Sequence, residues 1–156
     1  MGIKILVVCT GNICRSPTGE AVLQKLVTDR NLEKHFEIDS ASTHSYHSGN
    51  PPDARSLKVA EKRGYDLSPI RARQVKEKDF RAYDLILAMD SSHLRFLNKI
   101  KPPSSKTRIV LFTEYSKRYF RQDVPDPYYG ESREFHAVLD MIEEGADAVL
   151  LALHPD

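Results

Sequence analysis

Eight consecutive residues near the N-terminus, Cys9-Thr10-Gly11-Asn12-Ile13-Cys14-Arg15-Ser16, hold a thiol, a guanidinium and a hydroxyl around a Gly-Asn turn. An apolar run, Ile3 to Val8, ends just before them, and Ser16-Pro17 opens a helical pattern just after. A loop in that place turns successive backbone N–H groups inward at the positive end of the helix, which makes an anion cradle. It lacks the Lys-Ser/Thr ending of a nucleotide-binding loop, and the chain contains no Gly-x-Gly-x-x-Gly. The loop instead opens with Cys9 and closes with Arg15. Converging N–H dipoles and a guanidinium favour the thiolate form of such a cysteine. Arg15 can hold two oxygens of a phosphate at once through its planar fork, which lysine cannot copy. Ser16 can donate its hydroxyl to the sulfur and so temper the thiolate when it must depart. The constellation describes a thiolate nucleophile beneath a tetrahedral oxyanion.

The elements that must position this loop follow from hydrophobic periodicity. Ile3 to Val8, broken only by Lys4, reads as a buried strand. Ser16 reads as the N-cap of a helix with Pro17 in its first position and Glu20 near its positive end, running to about Arg30. Phe36 to Ser40 is a short second strand, and Thr43 to Pro52 is a polar loop. Asp53 caps a helix to Lys62 that Gly64 stops. A short helix is expected from Gln74 to Phe80, a third buried strand from Asp84 to Met89, and a helix marked by Leu94, Leu97 and Ile100 that ends at Pro102-Pro103. Arg108 to Thr113 is a fourth strand. Gln122 to Gly130 is a loop, and a long helix begins at Ser132. Strands alternating with helices predict an α/β domain with a parallel sheet and helices on both faces. Ligands then bind beyond the carboxyl ends of the strands, where Cys9 to Ser16, Ser40 to Pro52 and Met89 to Ser92 emerge. The loop Gln122 to Gly130 is expected to fold over them.

The chain has 156 residues, the length of one ordinary domain, taken here as residues 1–156. It is 40% hydrophobic and 29% charged, a globular composition. Lys and Arg total 23 against 22 Asp and Glu, so no basic excess drives nucleic-acid binding. No apolar run approaches the roughly 20 residues that cross a bilayer. The N-terminal run reads as a strand rather than a leader, so a cytoplasmic location without membrane attachment is expected, with secretion lacking a signal peptide left open. Two cysteines, Cys9 and Cys14, are too few for a disulfide scaffold or a structural metal site. The six histidines, none in a His-x-x-x-His pair, read as surface or half-buried residues. No metal and no cofactor are expected. Asp126, taken alone, reads as a turn residue.

Cys-Thr-Gly-Asn-Ile-Cys-Arg-Ser-Pro resembles the signature of the low-molecular-weight protein tyrosine phosphatases. Asp126-Pro127-Tyr128-Tyr129-Gly130 resembles the family's second motif. Asp39-Ser40-Ala41, Gly49-Asn50-Pro51-Pro52-Asp53, Ala72-Arg73-Gln74 with Asp79-Phe80, and Ala88-Met89-Asp90 match in the family's order, so the similarity spans essentially the whole chain. The resemblance implies a four-stranded parallel sheet in the flavodoxin-like order 2-1-3-4, flanked by helices, with an anion-binding loop after the first strand. It implies hydrolysis of phosphotyrosine by double displacement. Cys9 attacks phosphorus to form a phosphocysteine, Arg15 and the loop N–H groups hold the phosphoryl group, and Asp126 serves as general acid and then base. Asn12 and Ser40 resemble the pair that orders the loop. Tyr46, Tyr128 and Tyr129 match the aromatic walls of a slot deep enough for phosphotyrosine but not phosphoserine. Cys14 resembles the neighbour that captures an oxidised nucleophile as a reversible disulfide. The implied partners are a tyrosine-phosphorylated protein and phosphate or another oxyanion, with the chain a monomer or weak homodimer. Many relatives carry a His before Ala-Arg-Gln, where this chain has Ile70-Arg71.

Three other readings compete. Arsenate reductases share the loop, but the thioredoxin-coupled type needs cysteines beyond Cys14. Protein-arginine phosphatases of the same fold carry Thr where this chain has Ile13. A non-catalytic phosphotyrosine-binding module would need neither Cys9 nor Asp126.

Overall fold

The computed structural model describes residues 2–155. The chain runs β1 (Ile3–Cys9), α1 (Arg15–Asp29), β2 (Phe36–Ser42), α2 (Ala54–Lys62), α3 (Asp79–Ala82), β3 (Leu85–Ala88), α4 (Ser91–Ile100), β4 (Arg108–Leu111) and α5 (Ser132–Leu153). The four strands form one parallel sheet in the order β2-β1-β3-β4, as the resemblance implied. Helix-linked parallel strands need both faces covered, and the alternation along β1 serves both. Ile5 and Val7 join Val22, Leu23 and Val27 of α1 and Ile142, Ala146 and Val149 of α5 on one face. Leu6 and Val8 join Phe80 and Leu97 on the other. Each such valine, leucine, isoleucine or phenylalanine, fully buried, contributes about 1.5–3 kcal/mol.

The register aligns the functional edge. Cys9 pairs with Ser42, and Val8 pairs with Ala41 on one side and Ala88 on the other. The loops after β1, β2 and β3 therefore leave the sheet at one level. Gly19 lets α1 sit tightly beneath that edge: a Cβ there would meet Met89 Cε at 2.8 Å, Val7 Cγ1 at 3.0 Å and Phe112 Cε2 at 3.1 Å. Among the described residues no helix is long and apolar enough to cross a membrane.

Four expectations are corrected. The N-cap of α1 is Cys14, and Ser16 lies inside the helix, because its hydroxyl is held by Cys9 and Asn12 instead of by backbone N–H groups. Glu20 is not in the first turn; its half-buried carboxylate accepts a hydrogen bond from Ser40. Strand β2 extends through Ser42, since Ala41 and Ser42 continue the ladder with β1. The helix expected from Gln74 shrinks to Asp79–Ala82, because Gln74 bridges to Ser42 in parallel fashion and is drawn into the sheet's margin.

Candidate active site

The loop after β1 folds back on itself at Asn12, whose φ of +58° is a left-handed conformation that asparagine tolerates. Asn12 is fully buried, and its amide is well used. Nδ2 donates to Ser16 Oγ at 2.8 Å and to Ser40 Oγ at 3.0 Å, while Oδ1 accepts from the Arg73 N–H at 3.1 Å. Arg73 is itself fixed by Asp39 and Asp79 at 3.2 and 3.0 Å. The expected Asn12–Ser40 pair is thus present, and Arg73 completes it.

Three loop carbonyls are taken from outside. Those of Cys9, Thr10 and Ile13 accept from the N–H groups of Thr43, His44 and Asp53 at 2.9, 3.1 and 2.8 Å. In a trans peptide the N–H points opposite to the C=O. The N–H groups of Thr10, Gly11 and Cys14 are therefore turned to the opposite side, the side of the cleft. That cleft, about 260 Å³, is floored by Cys9, Thr10, Gly11, Ile13, Cys14 and Arg15 and rimmed by Tyr46, His47, Asp126, Tyr128 and Tyr129.

Cys9 Sγ lies 3.0 Å from Ser16 Oγ, and the Ser16 N–H donates to the same sulfur at 3.4 Å. Asn12 donates to Ser16 Oγ, so the one Ser16 hydroxyl proton is left to two acceptors, Cys9 Sγ at 3.0 Å and the Ala41 carbonyl at 3.4 Å, of which the sulfur is the nearer. Arg15 is 3% exposed. Its Nη1 donates to Asp90 Oδ2 at 2.8 Å and to the Val124 carbonyl at 2.9 Å, which locks one end of the guanidinium. Its Nη2 lies 3.7 Å from Asp126 Oδ2. The Asp126 carboxylate is half exposed at the mouth, and Oδ1 accepts from the Tyr128 N–H at 3.0 Å, an Asx-type turn over Pro127. Burial alone would raise the Asp90 carboxyl, but hydrogen bonds from Ser92 and Arg15 outweigh it and bring it down to about 2. Asp90 is therefore a permanent anion behind Arg15.

The rim is aromatic on two sides. Tyr46 stacks on His44 at 5.1 Å, and Tyr129 meets Tyr128 edge-on at 4.9 Å. The Arg55 guanidinium, gripped by both carboxylate oxygens of Asp53, lies 5.4 Å over Tyr128 and 4.7 Å over Phe135, tying the Asp126 loop to α2 and α5. Both cysteines are free and buried. Burial pushes the Cys14 thiol up to about 12.

All the residues singled out from sequence converge here. Two that were not are His93 and His47. His93 is 2% exposed, against the expectation of a surface or half-buried ring, and bonds to Thr10; His47 packs beside Gly11. The signal for His93 was its place three residues after Asp90, the capping-box spacing.

Residues 4–156 match the family model described as low molecular weight phosphotyrosine protein phosphatase. The chain belongs to that family. A low molecular weight phosphotyrosine protein phosphatase of Schizosaccharomyces pombe is 46% identical over 134 residues, covering 85% of each chain. The crystal structure of a protein tyrosine phosphatase from Entamoeba histolytica, with Hepes in its active site, superposes with a TM-score of 0.94 at 37% identity, covering 99% of this chain and 98% of that one. A Drosophila arginine phosphatase superposes at 0.91 with 32% identity, covering 99% of each. The fold of this phosphatase family is therefore shared with an enzyme of a different phosphoryl specificity.

Proposed function

We propose that this single-domain phosphatase hydrolyses phosphotyrosine in proteins through a phosphocysteine on Cys9. The observation that carries the reading is one juxtaposition: Cys9 Sγ beneath inward-turned N–H groups, a guanidinium fixed at one end only, and Asp126 at the mouth 3.7 Å from its free end. A phosphate dianion seated in the loop meets the N–H groups of Thr10, Gly11 and Cys14 and the free Nη2 of Arg15. Cys9 attacks phosphorus as the bond to the phenolate oxygen breaks. Asp126 gives its proton to that oxygen and then takes one from the water that releases phosphate from sulfur. Ser16, donating to Sγ, stabilises the thiolate as it leaves. The loop does little covalent work; its part is positioning and charge stabilisation. Tyr46 and Tyr128 flank a slot suited to a phenyl ring, and Ile13 gives its floor apolar bulk. The likeness to an arginine phosphatase keeps phosphoarginine as the competing substrate.

Phosphate release from matched phosphotyrosine, phosphoserine and phosphoarginine peptides tests this, with Cys9→Ser alongside. Release from phosphotyrosine alone, lost in Cys9→Ser, is expected. Release chiefly from phosphoarginine would overturn the substrate, and normal turnover by Cys9→Ser would overturn the nucleophile.

A further inference from the structure

The two ends of the catalytic loop are gripped by one turn of helix. Asp90, the N-cap of α4, holds Arg15 at the loop's far end through Oδ2 at 2.8 Å. His93, three residues on, holds Thr10 beside the nucleophile: its Nε2 lies 2.7 Å from Thr10 Oγ1. The two grips lock each other. The Asp90 N–H donates to His93 Nδ1 at 3.2 Å, and the His93 N–H donates to Asp90 Oδ1 at 3.2 Å. Nδ1 also lies 3.2 Å from Asp90 Oδ1, but the Asp90 N–H is the group that meets it in hydrogen-bond geometry, so a neutral ring carries its proton on Nε2 and donates it to Thr10. The Thr10 hydroxyl proton then points away from the ring. His93 is the one fully buried histidine of the six, so it has no room to swing. Burial holds it neutral, down to about 4, against the pull of Asp90.

We propose that His93 is a positioning residue for phosphoryl transfer, bracing Thr10 so that the first inward N–H groups of the loop and Arg15 keep a common frame. This rests on the phosphatase reading. Thr10 is fixed twice, by its carbonyl to the His44 N–H at 3.1 Å and by its hydroxyl to His93. Without the second hold, the Thr10–Gly11 peptide can rock about the first. Misplacement of about 1 Å at such a site can slow reaction roughly 100-fold. The brace acts on the trigonal, charge-spread phosphoryl group more than on ground-state phosphate, because only the former demands every donor at once.

The test uses the full chain with p-nitrophenyl phosphate as substrate and with orthovanadate and inorganic phosphate as inhibitors. His93→Leu and Thr10→Val are expected to lower kcat roughly tenfold with KM within about twofold. Vanadate inhibition should weaken by a similar factor while phosphate inhibition holds within about twofold. The double variant should be no slower than His93→Leu, since the two residues act as one unit. His93→Gln keeps an acceptor for the Asp90 N–H and a donor for Thr10 and should recover to within about threefold of the parent. A packing role alone would lower Tm without altering the vanadate-to-phosphate ratio. The proposal is overturned if Thr10→Val keeps parental kcat and vanadate affinity, if His93→Gln is as slow as His93→Leu, or if the two losses multiply. Should His93→Leu not fold, Thr10→Val, in a half-exposed position, decides alone. An inactive parent enzyme would instead remove the phosphatase reading on which the proposal stands.

Discussion

Replacing Glu20 with glutamine should abolish a specific pH dependence of stability. Glu20 lies in the second turn of α1, half-buried, with Oε1 accepting from Ser40 Oγ at 2.6 Å. Burial raises its carboxyl to about 7 from an ordinary 4.5; the Ser40 hydrogen bond and Arg73 resist this and Asp39 adds to it. That rise corresponds to a ceiling of about 3 kcal/mol. The folded chain binds the Glu20 proton more tightly than the unfolded chain does. The stabilisation is therefore full below 4.5 and is lost as pH rises through about 7. His93 has the opposite sign. Its folded form resists a proton that the unfolded form takes up near 6.5, so it costs stability as pH falls from 6.5 toward 4. Between 4.5 and 6.5 the two slopes oppose, and the parent chain should be nearly flat there. Glutamine keeps an acceptor for Ser40 and carries no charge. Urea unfolding at about pH 5 and about pH 8 reads the outcome. Glu20→Gln should match the parent within about 1 kcal/mol at the lower pH and exceed it by up to about 3 kcal/mol at the higher. In a chain of this size that is a Tm gain of roughly 6–12 °C at pH 8. An equal difference at both pH values would mean instead that Glu20 titrates alike in both states.

Substitutions at three further positions probe the site and its support. Asp126→Ala should lower kcat/KM by about 10²–10³-fold for phenyl phosphate and much less for an ester with a good leaving group; equal losses across a leaving-group series would count against an acid role. Asn12→Ala, which places alanine at φ +58° and strands the partners on Ser16, Ser40 and Arg73, should cost about 3–5 kcal/mol in urea unfolding. Asn12→Gly should recover about 1–2 kcal/mol of that while kcat stays low, and identical unfolding of the two variants would remove the backbone share. Gly19→Ala should destabilise by roughly 1–3 kcal/mol, because its methyl would press on Met89, Val7 and Phe112; an unchanged Tm would show that α1 can lift from the sheet freely.

Much of this arrangement was legible in the sequence because it is local. The apolar run Ile3 to Val8 predicts β1, and the loop that follows carries both thiol and guanidinium within seven residues. The Asp-Pro-Tyr-Tyr segment became meaningful through the family resemblance, since Asp126 alone is chemically indistinguishable from a turn aspartate. What was illegible depends on side-chain contacts made by the folded loops, most of them across long sequence separations. Ser16 looks like an N-cap until Cys9 and Asn12 claim its hydroxyl. Gln74 looks like the start of a helix until Ser42 draws it beside the sheet. Glu20 looks like a dipole-favouring acid until Ser40, twenty residues on, donates to it. His93 looks like a helix-surface histidine until the end of β1 brings Thr10 against it from 83 residues away. Each misreading is of a polar side chain whose partner lies on another strand or loop, a pairing that periodicity does not report.

Hydrolysis through Cys9 requires a covalent bond between its sulfur and phosphorus. Rapid acid quench during turnover of a phosphotyrosine peptide, followed by mass mapping of the digested chain, tests it most directly, with Asp126→Ala and Cys9→Ser run in parallel. Phosphate is expected on the peptide bearing Cys9 in the parent chain and in Asp126→Ala, and none in Cys9→Ser. Phosphate on another residue, or turnover of the peptide with no phosphocysteine at any quench time, would contradict it.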